Sequence, residues 1–164
     1  MRFRIEQRFD LPVERVEETL CDPAFIEAMG QLPKLGRPQL LSHEVDGETV
    51  RLQVRYAFVG QLSSAVRRVV DPSKLTWVQD ETIDRRTHQS VFTILPDHYA
   101  GLLRCDGRFT LAADGDDACR RVADGEIGVS VPLVGGKVER AIVSGLEEHA
   151  AAEADLVHEL GIAS

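Results

Sequence analysis

From residue 39 to residue 131, apolar and polar side chains alternate with a period close to two, interrupted only by short clusters of turn-forming residues. A strand sends successive side chains to opposite faces, so such alternation describes strands with one buried face and one wet face. The interruptions divide the region into predicted strands over 39–45, 49–58, 62–70, 75–83, 88–95, 102–112 and 119–131. Asp46-Gly47 joins the first two, where glycine takes a positive φ at little cost. Asp71-Pro72-Ser73-Lys74, Asp84 to Thr87, Pro96-Asp97-His98 and Asp114-Gly115-Asp116-Asp117 mark later turns or breaks. Within 49–58, Val50, Leu52, Val54, Tyr56 and Phe58 share one face, opposite Arg51, Gln53 and Arg55. Leu75, Trp77 and Ile83 share a face of the strand at 75–83. Residues 1–9 alternate too, with Phe3, Ile5 and Phe9 against Arg2, Arg4, Glu6 and Arg8. Seven or eight strands joined by such short connections form an antiparallel meander.

Helical patterns flank this region. A short helix starts near Pro12 and carries Val13, Val16 and Leu20 on one face. A second has Asp22 at its N-cap and Pro23 at its first position, where the missing N–H costs nothing. Phe25, Ile26 and Met29 form its apolar side, Gly30 ends it, and 31–38 reads as loop. Gly135-Gly136 closes the strand region, and 137–160 reads as one helix ended by Gly161. Its apolar stripe runs Val138, Ile142, Gly145, His149, Ala152, Leu156 and Leu160, with Glu139, Arg140, Glu147, Glu148 and Asp155 toward water.

Composition bounds what such a chain can do. At 164 residues it suits a single domain over 1–164, since two halves would each have a poor core. No stretch of 18 apolar residues occurs, so integral membrane association is not expected. Met1 to Glu6 contains no apolar signal core, so export by a cleaved signal is not expected either. A net charge of −8, from 27 acids and 19 bases, argues against a nucleic-acid partner. Cys21, Cys105 and Cys119 are odd in number and far apart, which suits reduced thiols and a cytoplasmic location.

The order of elements is one strand, two short helices, a long meander and a long amphipathic helix. It resembles the α+β helix-grip fold of the START/Bet v 1-like (polyketide cyclase/SRPBCC) superfamily over essentially the whole chain. The runs Tyr56-Ala-Phe-Val-Gly60, Asp71-Pro-Ser-Lys-Leu-Thr-Trp77, Val131-Pro-Leu-Val-Gly-Gly-Lys-Val-Glu139 and Cys21-Asp-Pro-Ala-Phe25 are similar to one bacterial family of unknown function within it. The resemblance implies a sheet curled around the last helix, with a cavity between them for a lipid, sterol, polyketide or other apolar molecule. It does not identify the ligand, because the fold hosts many functions.

Residues expected to line that cavity are Tyr56, Trp77, Phe92, Phe109, Ile142, Gly145 and His149. His149 interrupts an apolar stripe, as a polar handle for a ligand or as a histidine bonded to a strand residue. Gly145 costs the helix roughly 1 kcal/mol against alanine, so it marks either cavity space or close packing. Gln79 and Glu81 share the parity of Trp77, and His88 and Ser90 that of Phe92, so four polar side chains enter the cavity mouth if both strands face the helix. Cys105 shares a face with Gly107 and Phe109, where cysteine acts as a small apolar residue. The five histidines show no metal spacing, and no phosphate loop, nucleophile elbow or carboxylate motif occurs. No metal or cofactor is therefore expected. The leading expectation is non-enzymatic binding or transport of a small hydrophobic or amphipathic ligand. An aromatase/cyclase-type enzyme and a protein-interaction module with a filled core are the alternatives. The oligomeric state is left open.

Overall fold

The first and last strands of the chain lie side by side. In the computed structural model, which describes residues 1–163, the strands are β1 (Arg2–Phe9), β2 (Gln39–Asp46), β3 (Thr49–Ala57), β4 (Thr76–Asp84), β5 (Gln89–Pro96), β6 (Leu103–Ala113) and β7 (Cys119–Val129). They form one antiparallel sheet in the order β1-β7-β6-β5-β4-β3-β2. Helices α1 (Val13–Cys21) and α2 (Pro23–Ala28) follow β1, and α4 (Gly135–Ala163) ends the chain. Asp22 caps α2 as expected, its carboxylate accepting from the Ala24 amide at 2.8 Å.

The predicted strand over 62–70 is absent, so the sheet has seven strands. Its place is taken by a single helical turn, α3 (Ser64–Arg67), whose first turn is capped by Ser63. The Val69 and Val70 amides both donate to the Val66 carbonyl, and the Asp71 amide donates to the Tyr99 hydroxyl. Those donors are unavailable to a ladder, and β3 pairs directly with β4 instead.

Helix α4 has 29 residues, about 44 Å at 1.5 Å per residue, and packs on β1, β7 and α1. Val138, Leu156 and Val157 are buried. Glu139, expected to face water, turns inward: its carboxylate accepts from the Val129 amide at 2.9 Å and lies 3.8 Å from the Met1 ammonium. It fastens the start of α4 to the end of β7.

Two apolar clusters fill the interior. One joins α1, α2, the inner faces of β3 and β4, and the C-terminal half of α4, around Phe9, Val16, Phe25, Val50 and Val157. The other holds Phe3, Phe92, Cys105 and Ile127 under Ile142, Val143 and Leu146 of α4. Opposed glycines make room for it. Gly107 and Gly125 face each other across β6 and β7. A Cβ on Gly125 would lie 2.4 Å from the Phe3 ring, and one on Gly107 would lie 2.8 Å from the Phe92 ring and 2.5 Å from a backbone carbonyl. The rings occupy the space that side chains would otherwise take.

Candidate functional site

A layer of buried polar side chains lies among the apolar ones. Alternation turns Glu81 of β4 and Ser90 of β5 inward. Ser90 Oγ donates to Glu81 Oε1 at 2.5 Å, and Gln79 Nε2 donates to Glu81 Oε2 at 3.1 Å. Glu81 is only 9% exposed and forms no ion pair among the described residues.

Helix α1 contributes Glu17, one residue after the apolar Val16 and on the edge of the same buried face. His88 Nδ1 lies 3.1 Å from Glu17 Oε2, and Arg85 Nε lies 3.7 Å from the same oxygen. His88 takes φ 55 where the chain turns into β5. Burial pushes the Glu17 carboxyl above its usual range, and the opposing pull of His88 and Arg85 does not cancel it.

Strand β7 and helix α4 close the other side. Arg121 Nη1 donates to Glu153 Oε1 at 2.6 Å and to Gln7 Oε1 at 3.2 Å. Gln7 Nε2 donates to the Ala150 carbonyl at 2.7 Å and to Glu153 Oε1 at 3.1 Å. The guanidinium also lies 3.8 Å from the centre of the Phe109 ring, a cation–π contact. Burial acts to raise the Glu153 carboxyl, but Arg121, His149 and Gln7 outweigh it and hold the carboxyl below its usual range. Tyr56 is 7% exposed, and its hydroxyl has no hydrogen-bond partner among the described residues. Burial, with Glu153 and Glu81 nearby, pushes its phenol far up, so it is a neutral donor and acceptor.

These groups surround a cavity of about 70 Å³. Its roof is α1 and α2, through Leu20, Cys21, Phe25, Ile26 and Met29; its floor is the inner face of the sheet. Helix α4 reaches it through Glu153. The space thus lies at the end of the sheet under the short helices, rather than along α4. Phe25, Ile26 and Met29 are almost completely buried and fill much of that end. The volume holds a few waters or one polar group, against roughly 300–1,000 Å³ for typical ligand pockets. A separate groove of about 240 Å³ runs outside, between Pro12–Glu14 and the β6–β7 turn, and His88 and Leu111 stand between the two spaces.

Of the residues expected to line a cavity, Tyr56 and Phe109 are in this wall. Trp77 stacks beside Tyr56 with ring centres 5.9 Å apart. Phe92 tilts against Phe109 at 4.8 Å, and Ile142 packs on the second cluster. Gly145 has no atom within 4 Å of where a Cβ would stand. His149 Nε2 lies 3.8 Å from Glu153 Oε2, and its buried Nδ1 has no hydrogen-bond partner among the described residues. These last five stand outside the wall. Gln79, Glu81, His88 and Ser90, joined by parity alone, all face the space. Gln7, Glu17 and Glu153 were not singled out from the sequence, and Arg121, which reads there with Arg120 as a solvated edge or outer-face pair, is instead buried at 7% exposure. Gln7 and Arg121 do share the parity of the buried Phe9 and Cys119, so a strict reading of alternation would have found them.

Burial pushes the Cys21 thiol up to about 12 and the Cys105 thiol to about 11, so neither is a ready nucleophile. Among the described residues no group of three or more metal-ligating side chains occurs, and no helix is long and apolar enough to cross a membrane.

A seven-stranded antiparallel sheet, two short helices after β1 and a long last helix define the helix-grip fold of START/SRPBCC-type proteins. Within that fold the chain belongs to the family described as "Protein of unknown function (DUF2505)", which it matches over residues 4–160. Among solved structures, TTHA0849 from Thermus thermophilus aligns with TM-score 0.71 at 17% identity, over 99% of this chain and 98% of that one. The ZhuI aromatase/cyclase from Streptomyces sp. R1128 aligns with TM-score 0.67 at 12% identity, over 98% and 93%. A START superfamily protein from Mycobacterium smegmatis aligns with TM-score 0.58 at 18% identity, over 97% and 98%. At these identities the likeness is one of fold. No curated protein matches the chain in sequence.

Proposed function

We propose that this protein binds a small amphipathic molecule, whose polar end enters the cavity beneath α1 and α2 while its apolar part lies against Phe25, Ile26 and Met29. The observation that carries this reading is unused bonding capacity facing one partly open cavity. Glu81 is a buried carboxylate with no ion-pair partner among the described residues, and Tyr56, a buried residue, turns toward the same space a hydroxyl that makes no hydrogen bond among them. A core that serves only as a core rarely leaves such groups unmatched. The small volume is consistent with a site that takes up the head of a ligand and opens at α2 for the rest. The buried, unpaired thiols suit a reducing cytoplasm, which is where we place this activity.

A second reading, an enzyme of the aromatase/cyclase kind, is favoured by one feature. Glu17, with its raised pKa, contacts His88 in the same wall that holds Tyr56, which puts proton-moving groups around one space. Native mass spectrometry of protein purified from its own cells tests the first reading. A co-purified small molecule at one per chain, displaced by an apolar fluorescent probe, is the expected result. No adduct and no probe binding would reject it and favour an interaction module with a filled core. Turnover of a polyketide-like substrate, lost in Glu17→Gln, would favour the enzyme instead.

A further inference from the structure

The charges around the cavity do not balance, and the imbalance selects a ligand. Three carboxylates and one arginine face it. Glu153 is taken by Arg121, and Glu17 by His88 and Arg85. Glu81 has only the neutral donors Ser90 and Gln79, one on each oxygen. A carboxylate offers about four lone-pair sites, so half of its accepting capacity remains. Tyr56, on the neighbouring strand β3 and four residues along from Leu52, the register partner of Glu81, adds a hydroxyl oxygen with no hydrogen-bond partner among the described residues. Arg121 is charge-paired with Glu153, and its Nη1 serves both Glu153 and Gln7, so the pair offers an entering anion no net positive charge.

An entering carboxylate or phosphate would meet Glu81 in a low-dielectric space with no uncommitted cation, and like charges there repel strongly. An ammonium carries three donors and no acceptor, which complements this wall. Resting on the binding function proposed above, the geometry points to a protonated amine as the polar end of the ligand, its nitrogen donating to Glu81 in the space that the Tyr56 hydroxyl also lines.

The test compares octylamine, octanoate and 1-octanol, equal in chain length, by calorimetric titration of the whole protein and of Glu81→Gln and Tyr56→Phe. Octylamine is expected to bind one per chain, about tenfold or more tighter than the other two; about 1.4 kcal/mol corresponds to each factor of ten. Glu81→Gln is expected to remove that preference, bringing octylamine to the affinity of octanol. Tyr56→Phe is expected to weaken the amine by a smaller factor. Octanoate binding as well as octylamine overturns the amine assignment and leaves the binding function standing, as does an amine affinity untouched by both variants. Amine binding beyond one per chain that vanishes at high salt overturns it too, since the acidic surface then explains it. If none of the three ligands binds, the binding function falls and the amine assignment with it. The wild-type comparison needs no variant to fold, so the assignment stays testable if Glu81→Gln does not.

Discussion

Gln7 uses both ends of its amide: the carbonyl accepts from Arg121, and the nitrogen donates to Glu153 and to the backbone of α4. It thereby joins β1, β7 and α4 at one point and keeps the Arg121–Glu153 pair fixed. Glu153 and Glu17 are both buried carboxylates, and they act on stability in opposite directions. With Glu153 held below its usual range, the folded state binds fewer protons than the unfolded state between the two values. Its contribution is present at neutral pH and is lost as pH falls through the folded value. With Glu17 raised, the folded state binds more protons between the usual value and the raised one. Its charge therefore opposes folding at neutral pH, and that cost is relieved as pH falls through the raised value. Glu153→Gln is expected to destabilise at pH 7 by about 3–5 kcal/mol, by leaving Arg121 buried and unpaired, and to flatten the acid limb of the melting-temperature curve. Glu17→Gln is expected to hold or raise the melting temperature at pH 7. Melting curves across acid pH check both, and equal losses in the two variants would refute the opposition. Glu81 and Ser90 were legible because parity needs only their own strands. The Arg121–Glu153 pair was not, because its partners lie on a strand and a helix whose facing residues are set only when α4 docks on β7.

At the scale of elements, two glycines have opposite meanings. Gly125 faces the Phe3 ring at a distance no Cβ tolerates, whereas Gly145 faces open space in a helix. Gly125→Ala is expected to cost about 1–3 kcal/mol by overpacking the sheet. Gly145→Ala is expected to gain roughly 1 kcal/mol from helix propensity alone. Urea unfolding of the two variants tests the pair, and a destabilised Gly145→Ala would show that the space beside α4 is closed. Gly145 is not a close-packing glycine, and it lines neither of the two spaces described above. Strand boundaries were readable to within a residue or two in most of the meander, because turn chemistry marks both ends. The segment 62–70 departs from the strand reading because Val66, Val69 and Val70 stand at helical i, i+3, i+4 spacing, and their amides bond to the Ser63 hydroxyl and the Val66 carbonyl instead of a ladder.

Across the whole molecule, β6 and β7 tie the two apolar clusters together. Leu111 and Cys119 belong to one, and Cys105 and Ile127 to the other. Neither cluster can be lost without the strands that build both. Trp77 packs against the first cluster, so its fluorescence reports that half, while far-ultraviolet circular dichroism reports the entire sheet. The two signals are expected to follow one urea transition. An earlier fluorescence midpoint would mean that the end under α1 and α2 unfolds on its own.

Of the strands in this sheet, β1 is made first and is among the last to find its place. Its ladder partner is β7, with Arg2 opposite Glu126 and Phe9 opposite Cys119. At typical synthesis rates of about 5–20 residues per second, β1 waits on the order of ten seconds for that partner. During this wait Phe3 and Phe9 have no finished core to enter, and both edges of the strand are bare. The meander from β2 to β6 can zip progressively through short turns, but the closing step joins β1 to β7, the pairing with the greatest sequence separation in the sheet and so the slowest to make. During synthesis the exposed element of this sheet is therefore β1, and a chaperone that shields Arg2–Phe9 until β7 emerges has the most to protect.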